Sequence, residues 1–82
     1  MPLAITEAAA EVLERAHTAA ARFNPDTRIR VHRVGERIET GFAEKPEEGD
    51  EAIEHEGLTI YVAAGIDGTL DVSLEHDRLF VR

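Results

Sequence analysis

The run "GDEAIEHEGLTIYV" at 49–62 places Asp50, Glu54, His55 and Glu56 within seven positions, immediately before a strongly apolar stretch. Carboxylates and an imidazole are the donors a divalent cation takes when no thiolate is available, so these four are the first candidate metal ligands. An ion needs three or more donor atoms converging on one point about 2.0–2.3 Å away, and neighbouring residues converge poorly. On a strand, consecutive side chains leave opposite faces, so Glu54 and His55 could share an ion only if the backbone turned between them. The simpler reading is a hairpin: Gly57 supplies the permissive backbone and the acids solvate a sheet edge.

A second candidate is His32 with Glu39, which strand pairing would set opposite each other as an acid–base pair or as an ordinary cross-strand charge pair. The four histidines, His17, His32, His55 and His76, show no H-x-H, H-x-x-x-H or H-E-x-x-H spacing, so each is read alone. Ser73, the only serine, has no Gly-x-Ser-x-Gly elbow around it, and the glycines form neither phosphate-binding pattern. No catalytic, cofactor-binding or metal residue is therefore assigned, and the chain is not expected to be an enzyme.

Composition narrows the partners. Nine basic against 17 acidic residues give a formal charge of −8, which repels phosphate backbones and anionic lipid headgroups, so neither nucleic acid nor a membrane is expected as a partner. With three Phe, one Tyr and no Trp the core must be aliphatic, and no aromatic platform for stacking bases is expected. Zero cysteines exclude a disulfide, a thiolate zinc site or a Cys-ligated cluster within one chain. "MPLAITEAAAEVL" has no basic region followed by a long apolar run, so no signal peptide is expected and the location is expected to be cytoplasmic. Eighty-two residues make a single domain, 1–82, with a modest core.

The elements that would position these residues are a helix followed by strands. Ile5, Ala9, Val12, Leu13, Ala16, Ala20 and Phe23 recur at steps of three and four, the stripe of an amphipathic helix, with Thr6 as N-cap and "NPD" at 24–26 as its stop. The period then changes to two. A two-residue turn at Gly35-Glu36 pairs Ile29 with Phe42, Val31 with Thr40 and Arg33 with Ile38 on one face, and His32 with Glu39 on the other. After the polar connector 43–50, Ala52 with Ile53 and then Leu58–Val62 read as two strands around a turn at 54–57. Folding the last segment about His76-Asp77 would pair Leu74 with Leu79, Val72 with Val81, Glu75 with Arg78 and Asp71 with Arg82. The expected class is α+β: an N-terminal helix packed on a mostly antiparallel, sandwich-like or barrel-like arrangement of about six short strands.

Taken in order, "ITEAAAEVLERA", "IRV", "EEGDEAIEHEGLTIYV", "LDV" and a terminal "LFVR" resemble the HesB/IscA-like family of A-type iron–sulfur carriers over nearly the whole chain. The matching positions are framework ones: Ile5-Thr6 and the Ala-rich helix, Ile29-Arg30-Val31, Asp50, and Gly57 leading into Leu58–Val62. The resemblance implies a HesB-like fold. In that family the cluster ligands are a cysteine in a Gly-rich loop after the first strand and a Cys-Gly-Cys near the C-terminus. Here the loop position is "RVGER", with a tight Gly35-Glu36 turn in its place, and the sequence ends at Arg82, about where the cysteine-bearing tail would begin. No ligand carries over. The expectation is a non-catalytic accessory or protein-interaction domain, possessing no cofactor, with a protein partner or a homo-oligomer; the alternative is a metal-handling protein using His, Asp and Glu ligands.

Overall fold

The computed structural model describes residues 3–73 and 78–82. Its elements run β1 (Ala4–Ile5), α1 (Glu7–Ala21), β2 (Arg28–Val34), β3 (Arg37–Ala43), β4 (Glu51–His55), β5 (Leu58–Val62), β6 (Thr69–Ser73) and β7 (Arg78–Val81). Thr6 caps the helix as its spacing predicts: the hydroxyl accepts the Ala9 N–H at 3.2 Å, and Glu7 lies at the positive end of the helix dipole. The buried stripe is narrower than the sequence suggests, comprising Ala9, Ala10 and Leu13 with Val12 and Ala16 packed beside them. Phe23 lies beyond the last turn and is 92% exposed, because the chain leaves the helix at Arg22 before that face would return to the core.

The strands form two sheets, one ordered β3-β2-β5-β4 and one ordered β1-β6-β7. This corrects the expected strand arrangement in three ways. There are seven strands among the described residues, since Ala4–Ile5 pairs with Thr69 and Leu70 instead of opening the helix. Both sheets are mixed, with β1·β6 and β2·β5 parallel. Neither sheet closes into a barrel. The β2–β3 hairpin has the expected register, Ile29 opposite Phe42, Val31 opposite Thr40, His32 opposite Glu39 and Arg33 opposite Ile38. Gly35 makes this possible, with φ +62 in the first of two turn positions, the place where a type II′ turn takes glycine.

The second terminal hairpin differs. Val72 lies opposite Leu79, Leu70 opposite Val81, Asp71 opposite Phe80 and Ser73 opposite Arg78, a register shifted by two residues from the expected one. The expected turn at His76-Asp77, with Leu74 and Glu75, lies outside the described residues. A two-residue shift keeps every side chain on its predicted face, so Leu70, Val72 and Leu79 are still buried.

One aliphatic core joins the layers. Leu13 from the helix, Ile29, Val31 and Ile60 from the four-stranded sheet and Leu70 from the three-stranded sheet are fully buried. All three phenylalanines are outside it, Phe42 at 59% and Phe80 at 39% exposure in addition to Phe23.

Candidate functional site

The first candidate ligand, Asp50, is committed elsewhere. Arg30, on the outer face of β2, donates from Nε to Oδ2 at 2.8 Å and from Nη2 to Oδ1 at 3.0 Å. The Glu47 N–H donates to Oδ2 at 2.9 Å, and the Asp50 N–H returns a bond to the Glu47 carbonyl at 3.0 Å, which folds the connector back on itself. The Asp50 side chain is 1% exposed, and the Glu47 carboxylate stands 3.3 Å from Arg30 Nε at the solvent side. The Arg30 hydrogen bonds hold the Asp50 carboxyl below its usual range; burial works against this, and the Glu47 N–H and the Arg30 charge assist it. With both oxygens held, this carboxylate acts as a tether between connector and sheet.

Glu54 and His55 are on β4, not in a turn, so the turn expected at 54–57 contracts to Glu56-Gly57. Glu54 faces outward beside Thr59, while His55 lies beside Leu58 on the face toward the helix. Glu56 stands in the turn at φ +51, its carboxylate 4.0 Å from His55 Nε2 and 82% exposed. Asp50, Glu54, His55 and Glu56 are therefore not brought to one point. Among the described residues no three His, Cys, Asp or Glu side chains gather so as to hold a metal ion.

His32 and Glu39 are directly opposite each other, yet Glu39 turns to Arg37 on its own strand, at 3.5 Å. The His32 ring lies over Gly41, with Cε1 3.6 Å from where a Cβ would stand, and its Nδ1 is buried without a hydrogen-bond partner. The ring packs over Gly41, and Glu39 pairs with Arg37. Ser73 is half-buried on β6 opposite Arg78.

The structure also makes a juxtaposition that spacing does not reveal. His17, from the helix, and His55, from β4, line one cleft of about 170 Å³ together with Glu14 and Glu56. The His17 Nε2–H donates to the Thr27 carbonyl at 3.1 Å, fixing the ring against the start of β2. The two histidines are separated by the whole first hairpin, so only tertiary packing brings them together. Asp71 has a role comparable to that of Asp50: it accepts from the Val72 N–H at 2.8 Å, the Thr6 hydroxyl at 3.0 Å and Arg82 Nε at 3.1 Å. These bonds, the Val72 N–H foremost, lower its pKa. Asp71 and Arg82 thus meet diagonally despite the altered register.

No helix among the described residues is long and apolar enough to cross a membrane. No protein-family profile matches the sequence, and no curated protein sequence does. In three dimensions the chain is similar to a crystal structure of IscA with the [2Fe–2S] cluster, at a TM-score of 0.56 and 23% identity over 95% of this chain and 81% of that one. The likeness establishes an IscA-like fold of one helix with two mixed sheets. The donor set does not extend to the cluster. There is no cysteine in the sequence to supply a thiolate, and Asp50 and Asp71 are bonded to Arg30 and Arg82.

Proposed function

We propose that this chain is a non-catalytic accessory domain that acts through protein contacts on an IscA-like framework, without carrying an iron–sulfur cluster. The observation that carries the reading is a kept framework combined with a donor set containing no cysteine. Iron–sulfur clusters are held by soft anionic thiolates, for which carboxylates and imidazoles are not equivalent replacements. Between β2 and β3, where a ligand-bearing loop would be needed, there are only Gly35 and Glu36. Iron–sulfur assembly is the setting the IscA likeness suggests for those contacts.

Two measurements test the proposal. Anaerobic reconstitution with ferrous iron and sulfide, followed by desalting, is expected to leave a colourless protein; a stoichiometric cluster would overturn it. Calorimetric titration against purified iron–sulfur scaffold and sulfur-donor proteins is expected to show saturable binding to at least one, and dilution heats alone for all of them would remove iron–sulfur assembly as the setting. A metal-handling role has less support, because Asp50 is tied to Arg30 and the adjacent Glu54 and His55 face opposite ways.

A further inference from the structure

Where β3 passes β7, two sheets meet at their unpaired borders. Among the described residues β3 hydrogen-bonds only to β2 and β7 only to β6, so each presents one row of backbone N–H and C=O groups away from its sheet. Two hollows of about 470 and 270 Å³ flank the seam, and Arg37, Ile38, Arg78 and Leu79 line both. The floor is apolar. Ile38 and Leu79 are at 7% and 8% exposure, Val12 of the helix closes one end, and the Phe80 ring stands at the other.

The rim differs in charge from the remainder of the molecule. Arg33, Arg37 and Arg78 share the lining with Glu36 and Glu39, and the Glu39 carboxylate is 3.5 Å from Arg37. Three of the nine basic residues thus accompany two of the 17 acidic ones, leaving six against fifteen in the rest of the sequence. Arginines around a part-exposed aromatic, over an apolar floor, are the composition from which interaction hot spots are built.

We infer that this groove binds an extended, carboxylate-bearing segment of a partner protein. The free strand edges would take its backbone, Ile38, Leu79 and Phe80 would take its apolar side chains, and the arginines would pair with its carboxylates. The occupant is a partner and not a second copy, because two chains of formal charge −8 repel each other. The inference rests on the protein-contact reading given above and assigns that contact a surface.

The test is a titration of the full, isotope-labelled chain with a short blocked peptide alternating Val and Glu, followed by amide chemical shifts. Saturable shifts are expected at Ile38, Thr40, Leu79 and Phe80. The double variant Arg33→Glu/Arg37→Glu is expected to weaken binding about tenfold or more and to gain affinity for the matched Val/Lys peptide. Both arginines are exposed, so the fold should survive reversal; Phe80→Ser gives an independent check on the apolar anchor. Absent shifts, shifts confined to another face, or indifference to charge reversal would overturn the assignment. The same shifts on raising protein concentration alone would give the groove to a second copy and would overturn it too. Cluster uptake on reconstitution would instead overturn the parent reading, whereas a chain that takes up no cluster and ignores the peptide loses only this groove.

Discussion

Arg30 and Asp50 join as a two-pronged pair across twenty residues, Nε on Oδ2 at 2.8 Å and Nη2 on Oδ1 at 3.0 Å, with the carboxylate sealed from solvent. Asp50→Ala strands a half-buried guanidinium and releases the connector from β2, and is expected to cost about 1–3 kcal/mol by denaturant unfolding. Asp50→Asn keeps the shape but loses the charge.

The pair also sets the acid limb of stability. Asp50 and Asp71 both have pKa values below the ordinary 3.8, so the folded state binds fewer protons than the unfolded chain. Their contribution is complete above that value and is lost as pH falls below it, through the lower folded-state values. Unfolding measured from about pH 5 to about pH 2 is expected to show falling stability in the wild type and a shallower fall in Asp50→Asn.

Glu56 and Gly57 both have positive φ, +51 and +86, in a two-residue turn between His55 and Leu58. That is the backbone of a type I′ turn, for which Asn-Gly is the preferred pair and a long side chain in the first position is strained. Glu56→Asn is expected to raise stability by about 0.5–1 kcal/mol, seen as a higher midpoint at unchanged denaturant slope.

Gly68 has φ +101, and a Cβ there would be 2.8 Å from the Arg82 carbonyl oxygen, which accepts the Thr69 N–H. The obstacle is backbone, so Gly68→Ala is expected to cost about 2 kcal/mol or more and to loosen β7 from β6 in hydrogen exchange. Gly35→Ala, at φ +62 with open space around it, is expected to cost about 1 kcal/mol.

Ferrous iron or zinc is expected to leave the amide shifts of His32, Glu39 and residues 50–56 in place, and His32→Ala with His55→Ala is expected to change nothing in that titration. Localised, saturable shifts that disappear in the double variant would restore a nitrogen- and oxygen-ligated metal role.

Phe23→Ser removes a ring that is 92% exposed and is expected to shift stability by less than about 0.5 kcal/mol in thermal unfolding.

The sequence discloses local pairings and conceals distant ones. The β2–β3 register is legible because a glycine-bearing turn and strict alternation allow one solution. The β6–β7 register is not, because a slip of two residues preserves the faces and so leaves the same apolar pattern. β1 is hidden since its partner lies at Thr69 and Leu70, beyond any local signal, and Ile5 fits the helical period. Phe42 has the right parity for the core but is on the border strand of its sheet and is 59% exposed. Asp50 reads as a free acid in an acidic run because its cation, Arg30, is on another element. The meeting of His17 with His55, and of Arg33 and Arg37 with Arg78, has no trace in spacing.

The three-stranded sheet brings together Ala4–Ile5 with Thr69–Ser73 and Arg78–Val81, and the Thr6 hydroxyl donates to Asp71 across 65 positions. During synthesis, then, the first strand and the Thr6–Asp71 bond must wait for nearly all of the chain to emerge. The β2–β3 hairpin needs only neighbouring residues and can form early, while the second sheet and the final seating of the helix come last. A ribosome stalled before Thr69 would present a helix whose face toward β6 has nothing to pack against, leaving open to chaperones and proteases a part of the apolar surface that the finished fold covers.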